Sequence, residues 1–403
     1  MKERKKILVI SFQSLTAKSG AGMARLGFFL SQKLNERNLL YKFIVHSKGK
    51  FETDFPSEPV SYLSRYYLFI LNKLNKILKF QPYRFRYIQE KIFDWLCAKR
   101  IDNSISTLLV TQPYLLKTFK KAKKKGIKII FVPANPEENY INKLVTEEKN
   151  KLNIQGTDAY TYKKRIDFYN RSMKYVDVVI GTYPTVYDSY KNSHFPGKVV
   201  QIIGHLKPDF KPVTIEGKEL TRKEFKVAYI AHTVILKGLQ YLLEAWENLM
   251  NEEGTENYHL HIAGNVDDSM HQYMVDHHLR TKNVHYSGHV PDVTSFLKDK
   301  DLFVVPSLVD GGPYTALEAA HYALPVIITE NCGSAELLSR GNSGCWIIPI
   351  RDADSIKERI KWACHHRMEA KQVGLNAKHN LDTYKMDELI TDLADYLEKK
   401  ETE

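Results

Sequence analysis

Short β-branched apolar runs alternate with amphipathic helical stretches, and the alternation runs through the chain twice. The first series of strand-like runs is 6–12, 40–46, 107–111, 127–132, 177–182 and 198–203, with a helix near 23–34. The second series is 225–230, 259–263, 283–287, 301–306 and 325–329. Helices near 239–250, 270–280, 314–322, 354–365 and 387–399 separate or follow those runs. Strands that alternate with helices build parallel βαβ units, because a parallel partner is reached only through a crossover. The expected fold is α/β: two Rossmann-like, doubly wound sheets with a cleft between them. A chain of 403 residues suits two domains. The stretch 204–221, rich in Lys, Pro and Gly, is the expected linker. This places one domain at 1–212, a second at 213–380, and a last helix at 381–403 that packs back on the first.

Composition removes other classes. Hydrophobic residues make up 43% and charged residues 26%, so disorder, collagen and coiled coil fail as whole-chain descriptions. Four cysteines (Cys97, Cys332, Cys345, Cys364) show no CxxC spacing, so a disulfide framework or a zinc site is not expected and a reducing cytoplasm is. No run of about 18 apolar residues is long enough to span a bilayer. The basic, then apolar start MKERKKILVISF reads as a first buried strand.

The net charge of +12 is unevenly spread. Residues 1–212 hold 39 Lys or Arg against 17 Asp or Glu, whereas 213–403 hold 20 against 30. A basic first half suits an anionic membrane or another polyanion; a merely solvated basic surface is the plainer alternative. Within it, 66–80 reads as a helix with Tyr67, Leu71, Leu74 and Leu78 on one face and Lys73, Lys76 and Lys79 away from it. Arg84, Phe85, Arg86, Tyr87 and Trp95 follow. No helix-turn-helix, zinc-finger or RNP pattern is present, so nucleic acid is not an expected partner.

Ligands of open parallel sheets bind beyond the carboxyl ends of strands, at helix N-termini. Two loops fit. The first, 14–25, carries Gly20 and Gly22 before a helix, but its spacing is neither GxGxxG nor GxxxxGK[ST]. The second is DGGPYTALE at 310–318, where Asp310 and Glu318 bracket a Gly-Gly-Pro turn and a helix start. Backbone N–H groups there suit an anion, and Pro313 suits a first helical turn. On their own, Asp310 reads equally as a turn residue and Glu318 as a surface residue.

The ordered set of motifs around that loop resembles the retaining glycosyltransferases of family 4, which have the GT-B fold. DLFVVPSLVDGGPYTALEAAHYALPVI is similar to the family's E-x7-E region, with Asp310 in the first acidic place. AHTVILKGLQYLLEAW at 231–246 resembles its phosphate motif, with His232 where the family has Arg. LHIAGN, VHYSGHV, CGSAELL and SGCWI fall in the family's order, and GHLKPDFKP resembles its interdomain segment. The resemblance covers about 175–375.

It implies that Glu318 binds the ribose hydroxyls of a nucleotide. Asp310 with the backbone of Gly311, Gly312, Pro313 and Tyr314 would hold the donor sugar. Thr315 and Ala316 would offer N–H groups to the diphosphate, Lys237 (and His232) would face its charge, the backbone near Val290 would meet the base, and Gly20 and Gly22 would approach the diphosphate from the first domain. Asp310, Glu318 and Lys237 are the implied catalytic set, with no metal and no cofactor beyond a UDP- or GDP-sugar substrate. Asn135, Glu137 and Tyr140, after a strand end, are candidates for an acceptor pocket. The implied activity is retaining, metal-independent transfer of a sugar to a glycolipid, oligosaccharide or cell-surface polysaccharide acceptor. The expected place is the cytoplasm, on the inner face of the membrane. A nucleotide-sugar epimerase or hydrolase of the same fold, and a non-catalytic partner subunit, are the alternatives.

Overall fold

A computed structural model describes residues 6–15, 22–48, 52–210, 223–277 and 281–402. Gly20 and the linker residues 211–221 lie outside them. The chain divides into two compact units. Met1–Asn142, Thr157–Leu206 and Met386–Glu403 make unit 1; Lys143–Gly156 and Lys207–Lys385 make unit 2. Residues 143–156, inside the range expected for the first domain, thus belong to unit 2.

Unit 1 contains β1 (Lys6–Ser11), α1 (Met23–Glu36), β2 (Leu40–Val45), β3 (Ser57–Pro59), α2 (Ser64–Leu78), α3 (Pro82–Lys99), β4 (Ile105–Val110), α4 (Leu116–Lys124) and β5 (Lys128–Phe131). There follow α5 (Glu138–Lys151), whose later residues count with unit 2, then α6 (Lys163–Met173), β6 (Val178–Gly181), α7 (Pro184–Lys191) and β7 (Lys198–Gln201). The seven strands are all parallel, in the order β3-β2-β1-β4-β5-β6-β7. Leu8 and Ile10 of β1 with Phe12 just beyond it, Ile44 of β2 and Leu108 and Val110 of β4 share a core with Phe93 of α3 and Phe119 of α4. The alternation of strand side chains puts these residues on one face.

Unit 2 contains β8 (Phe225–Ile230), α8 (Leu239–Met250), β9 (Tyr258–Ala263), α9 (Asp268–His277), β10 (Val284–Tyr286), α10 (Val293–Leu297), β11 (Leu302–Val305), α11 (Tyr314–His321) and β12 (Val326–Thr329). α12 (Ser334–Leu338), β13 (Trp346–Ile348), α13 (Ala353–His365) and α14 (Arg367–Thr383) complete it. Its six strands are also parallel, in the order β10-β9-β8-β11-β12-β13. The last helix, α15 (Met386–Thr402), belongs to unit 1 and lies against α1. Arg37 meets Asp395 at 2.6 Å and Glu398 at 3.0 Å across that contact.

Helix α2 departs from the expected pattern. Tyr67 and Leu71 are half-buried, and the Tyr67 ring sits 5.7 Å from the His46 ring. The other face is not a wet basic back. Tyr66, Phe69, Ile70, Leu74, Ile77 and Leu78 are exposed, Ile77 to 74%, and Tyr62 and Leu63 extend the stripe. Lys73 stands within it, 4.7 Å over the Phe69 ring. The helix is apolar on two faces, and only one of them is covered.

Two glycines fix the strand ends of unit 2. Gly238 has φ +70°, and a Cβ there would lie 1.8 Å from the Pro306 carbonyl oxygen. Gly264, at φ +109°, would meet the Ala231 oxygen at the same distance. Both contacts are with backbone, which cannot step aside. Gly238→Ala is expected to destabilise the protein by roughly 2–5 kcal/mol, from left-handed strain plus overpacking. Urea unfolding measures this, and a loss under about 0.5 kcal/mol, the surface-substitution range, would contradict the packing described.

Candidate active site

In unit 2 the strand order reverses between β8 and β11, the switch point where an open α/β sheet receives its ligand. The loops that leave these two strands enclose a recess of about 300 Å³. Ala231 and His232 come from the β8 end, Ser307 and Asp310 from the β11 end, and Gly312 to Thr315 from the start of α11.

Sequence fixes each wall. After β8 a single tight helical turn, Ile235–Lys237, ends at Gly238 and leads into α8. Lys237 is thereby turned back toward the β11 loop, where its Nζ pairs with the Asp310 carboxylate. Asp310 is nearly buried, and its backbone is bonded on both sides. Its N–H donates to the Asn331 oxygen at 3.1 Å, and its carbonyl accepts from Gly333 N–H at 2.9 Å. Asn331 Nδ2 donates to the Leu308 oxygen (3.0 Å), Thr329 Oγ1 to the Ser307 oxygen (2.5 Å), and Leu308 N–H to the Leu236 oxygen (2.8 Å). The loop 307–310 is thus held by the ends of two neighbouring segments, which preorganises it.

Helix α11 starts after Pro313 with no side-chain cap. The N–H groups of a first helical turn lack intrahelical partners, and with the helix dipole they favour an anion. Tyr314 and Thr315 line the recess; Gly311 and Ala316 are buried and do not. Glu318 follows Tyr314 by four residues on the same helical face. Burial pushes its carboxyl up to about 7. His232 lines the recess and is exposed.

A second recess, of about 180 Å³ and mostly apolar, lies at the ends of β9 and β10. Gly264, Met274, Tyr286 and Gly288 are among its walls. Gly264 N–H donates to the Gly288 oxygen at 2.6 Å and ties the two strand ends together. Val290, the residue singled out near the base, is half-buried and does not line it. The strand-end motifs LHIAGN and VHYSGHV were the signal for this pocket, but its floor on α9 carried none.

In unit 1, Gly22 stands at the start of α1 with φ 53°. Asn135 and Tyr140 are exposed. Glu137 is buried and occupied: its carboxylate accepts Tyr140 N–H at 2.9 Å and Asn139 Nδ2 at 2.6 Å. That is a helix cap on α5, so Glu137 holds the fold where a pocket residue was expected. Sequence reasoning missed a buried ionic cluster in this unit. Glu90, with no exposure, accepts from Arg86 Nε (3.0 Å) and Arg165 Nε (3.1 Å); Arg165 also meets Glu138 at 3.4 Å and lies 4.0 Å over the Tyr114 ring. Glu90 and Arg165 are 75 positions apart, beyond any local pattern.

Residues 211–380 match the sequence family described as glycosyl transferases group 1. That segment is similar to group 1 glycosyl transferases and makes up less than half of the chain. The chain is 27% identical over 139 residues to a putative colanic acid biosynthesis glycosyltransferase of Salmonella typhimurium, WcaL, covering 32% of this chain and 34% of that one. It is 26% identical over 170 residues to an N,N'-diacetylbacillosaminyl-diphospho-undecaprenol alpha-1,3-N-acetylgalactosaminyltransferase of Campylobacter jejuni, covering 40% and 43%. The matched part is thus less than half the length of each of these relatives. The fold is that of Anabaena HepE in complex with UDP-glucose, at TM-score 0.60 and 12% identity over 98% of this chain and 99% of that one. The two parallel sheets with their helices are a GT-B arrangement.

The raised Glu318 carboxyl has a thermodynamic consequence. The fold binds its proton more tightly than the unfolded chain does, so its contribution favours stability at low pH and is lost as pH rises from the ordinary 4.5 through about 7. Glu318→Gln is therefore expected to raise the thermal midpoint at pH 8 and to leave it unchanged near pH 4. An equal shift at both pH values would show that the carboxylate is not desolvated.

Proposed function

We propose that the protein is a glycosyltransferase that moves a sugar from a nucleotide-diphosphate sugar to a lipid-linked or cell-surface glycan. The observation that carries this reading is the recess at the β8/β11 switch point, where Lys237, Asp310 and the start of α11 converge within the group 1 segment. Cleavage of a sugar–phosphate bond leaves negative charge on the departing diphosphate. Lys237 and the N–H group of Thr315 meet that charge, and because they are already in place they stabilise the transition state more than the ground state, whereas the Ala316 N–H is donated to the Pro313 oxygen at 3.2 Å. Asp310, next to Lys237, takes sugar hydroxyls together with the 311–314 backbone. Glu318 takes the ribose, and the apolar recess at Tyr286 takes the base, uracil or guanine. His232 adds a donor at the mouth. Attack comes from the face the diphosphate leaves, which retains configuration without a protein nucleophile or a resident metal. The UDP and UDP-glucose complexes of HepE support the donor class.

Glu318→Ala should weaken binding of the preferred nucleotide sugar by about 10- to 150-fold, the loss of a charge-assisted hydrogen bond. Thermal-shift screening across UDP- and GDP-sugars finds the donor, and calorimetry on the mutant reads the loss. Wild-type affinity in that mutant would remove Glu318 from the site. Because only the ionised carboxylate accepts two ribose hydroxyls, donor affinity should also fall below about pH 7.

The acceptor side of the reading is the membrane. The name of the Campylobacter relative places its acceptor on a diphospho-undecaprenol carrier. No described helix is long and apolar enough to cross a bilayer. The exposed face of α2, with Lys73, Lys76 and Lys79 beside it, suits the surface of an anionic inner leaflet. Sedimentation with anionic vesicles is expected, weakened by salt and by Ile70→Glu with Ile77→Glu. Equal binding to neutral vesicles would count against the lysines' part.

A further inference from the structure

Unit 1 has its own switch point, and the residues above leave it unassigned. β1 lies between β2 and β4, so the carboxyl ends of these three strands mark the edge where this sheet takes a ligand. Ser11 pairs with Val45 and Ile10 with Val110. Continuing that register, His46, Phe12 and Gln112 follow the three strands at one level. All three are buried. Gln112 is 8% exposed, and neither Nε2 nor Oε1 has a hydrogen-bond partner; His46 is 4% exposed, and its Nε2 has none. Polar atoms buried without partners are costly, and natural folds keep few of them.

Arg86 stands over this edge. Its guanidinium lies 4.1 Å above the Phe12 ring, which in turn touches the His46 ring at 4.7 Å. Its Nε donates to Glu90, a carboxylate shared with Arg165. Among the described residues, no protein acceptor meets its two Nη groups, and the side chain is 43% exposed. A guanidinium oriented at one edge and open at the other presents a planar fork, the geometry that takes a phosphate or carboxylate in two hydrogen bonds. Burial and the nearby Arg86 charge hold His46 neutral, its titration pushed down to about 4, so it adds no second cation.

We propose that this edge is the acceptor subsite: Arg86 grips a phosphate or diphosphate group, and Gln112 and His46 bond hydroxyls of the sugar beside it. The proposal rests on the transferase reading. It also joins the apolar face of α2 to the site, since only residues 79–81 separate α2 from α3, which carries Arg86.

The test is calorimetric, on the full chain, with inorganic pyrophosphate titrated in the presence of excess UDP so that the unit 2 recess is filled. Arg86→Gln is expected to weaken pyrophosphate binding at least about tenfold, with UDP affinity unchanged. Equal affinity in wild type and mutant, or no pyrophosphate binding by wild type, overturns the site. Gln112→Leu removes two unpartnered polar atoms and should not lower the melting temperature. It should keep pyrophosphate affinity and weaken a soluble sugar 1-phosphate at least about fivefold, the loss of one hydrogen bond; an unchanged sugar 1-phosphate affinity removes Gln112 from the subsite. A prenyl diphosphate in neutral micelles is compared with that sugar 1-phosphate. Arg86-dependent binding supports the subsite in both cases, and the tighter ligand names the source. If UDP does not bind at all, the transferase reading fails alone, because the Arg86 difference is then read without UDP.

Discussion

Parallel pairing governs both units. When every strand of a sheet runs the same way, all carboxyl ends open on one edge, and the polar groups that strands cannot use collect there. In unit 2 this edge gathers the Lys237–Asp310 pair, the uncapped start of α11 and the apolar pocket between β9 and β10. In unit 1 the same constraint brings together His46, Phe12 and Gln112 beneath Arg86. The chemistry of each unit follows from which side chains its strands release at that edge. The opposite edge and the packed faces set only how firmly the edge is held.

Charge is placed by local structure more than by composition. The half of the sequence that carries the group 1 match is acidic, yet its recess offers an anion a lysine and backbone dipoles. One buried carboxylate, Asp310, orients that lysine. The basic half spends part of its excess on internal pairs. Lys123 is bound to Asp177 at 2.5 Å, and Arg37 is shared by Asp395 and Glu398. Exposed cations remain on α2 and at the start of α3, and also at Lys120, Lys124, Lys163 and Lys164.

The strands were the most legible part of the fold because β-branched runs declare themselves. Residues 225–230 were bounded to the residue. β3 escaped because its residues, Ser-Glu-Pro, hold no apolar run; β13 was missed although β10, equally short, was read. The loop DGGPYTALE was legible because its turn, its helix start and its spaced carboxylates lie within nine consecutive residues. The Glu90–Arg165 cluster and the floor of the apolar pocket were not, since each is assembled from distant segments. Helix α2 misled for a different reason. Periodicity put Tyr67, Leu71, Leu74 and Leu78 on one face, but Leu74 and Leu78 belong to a second, exposed one; a helix with two apolar faces gives no sign of which is covered.

The last helix gives the chain an order in time. α1 is made before unit 2, and the partner that covers it, α15, is made after unit 2. During synthesis the early unit holds an uncovered seam while residues 207–385 emerge and can already close on themselves. Completion of unit 1 therefore waits on residues 386–402, so a chain that stalls before them leaves the α15-facing side of α1 uncovered and open to quality control.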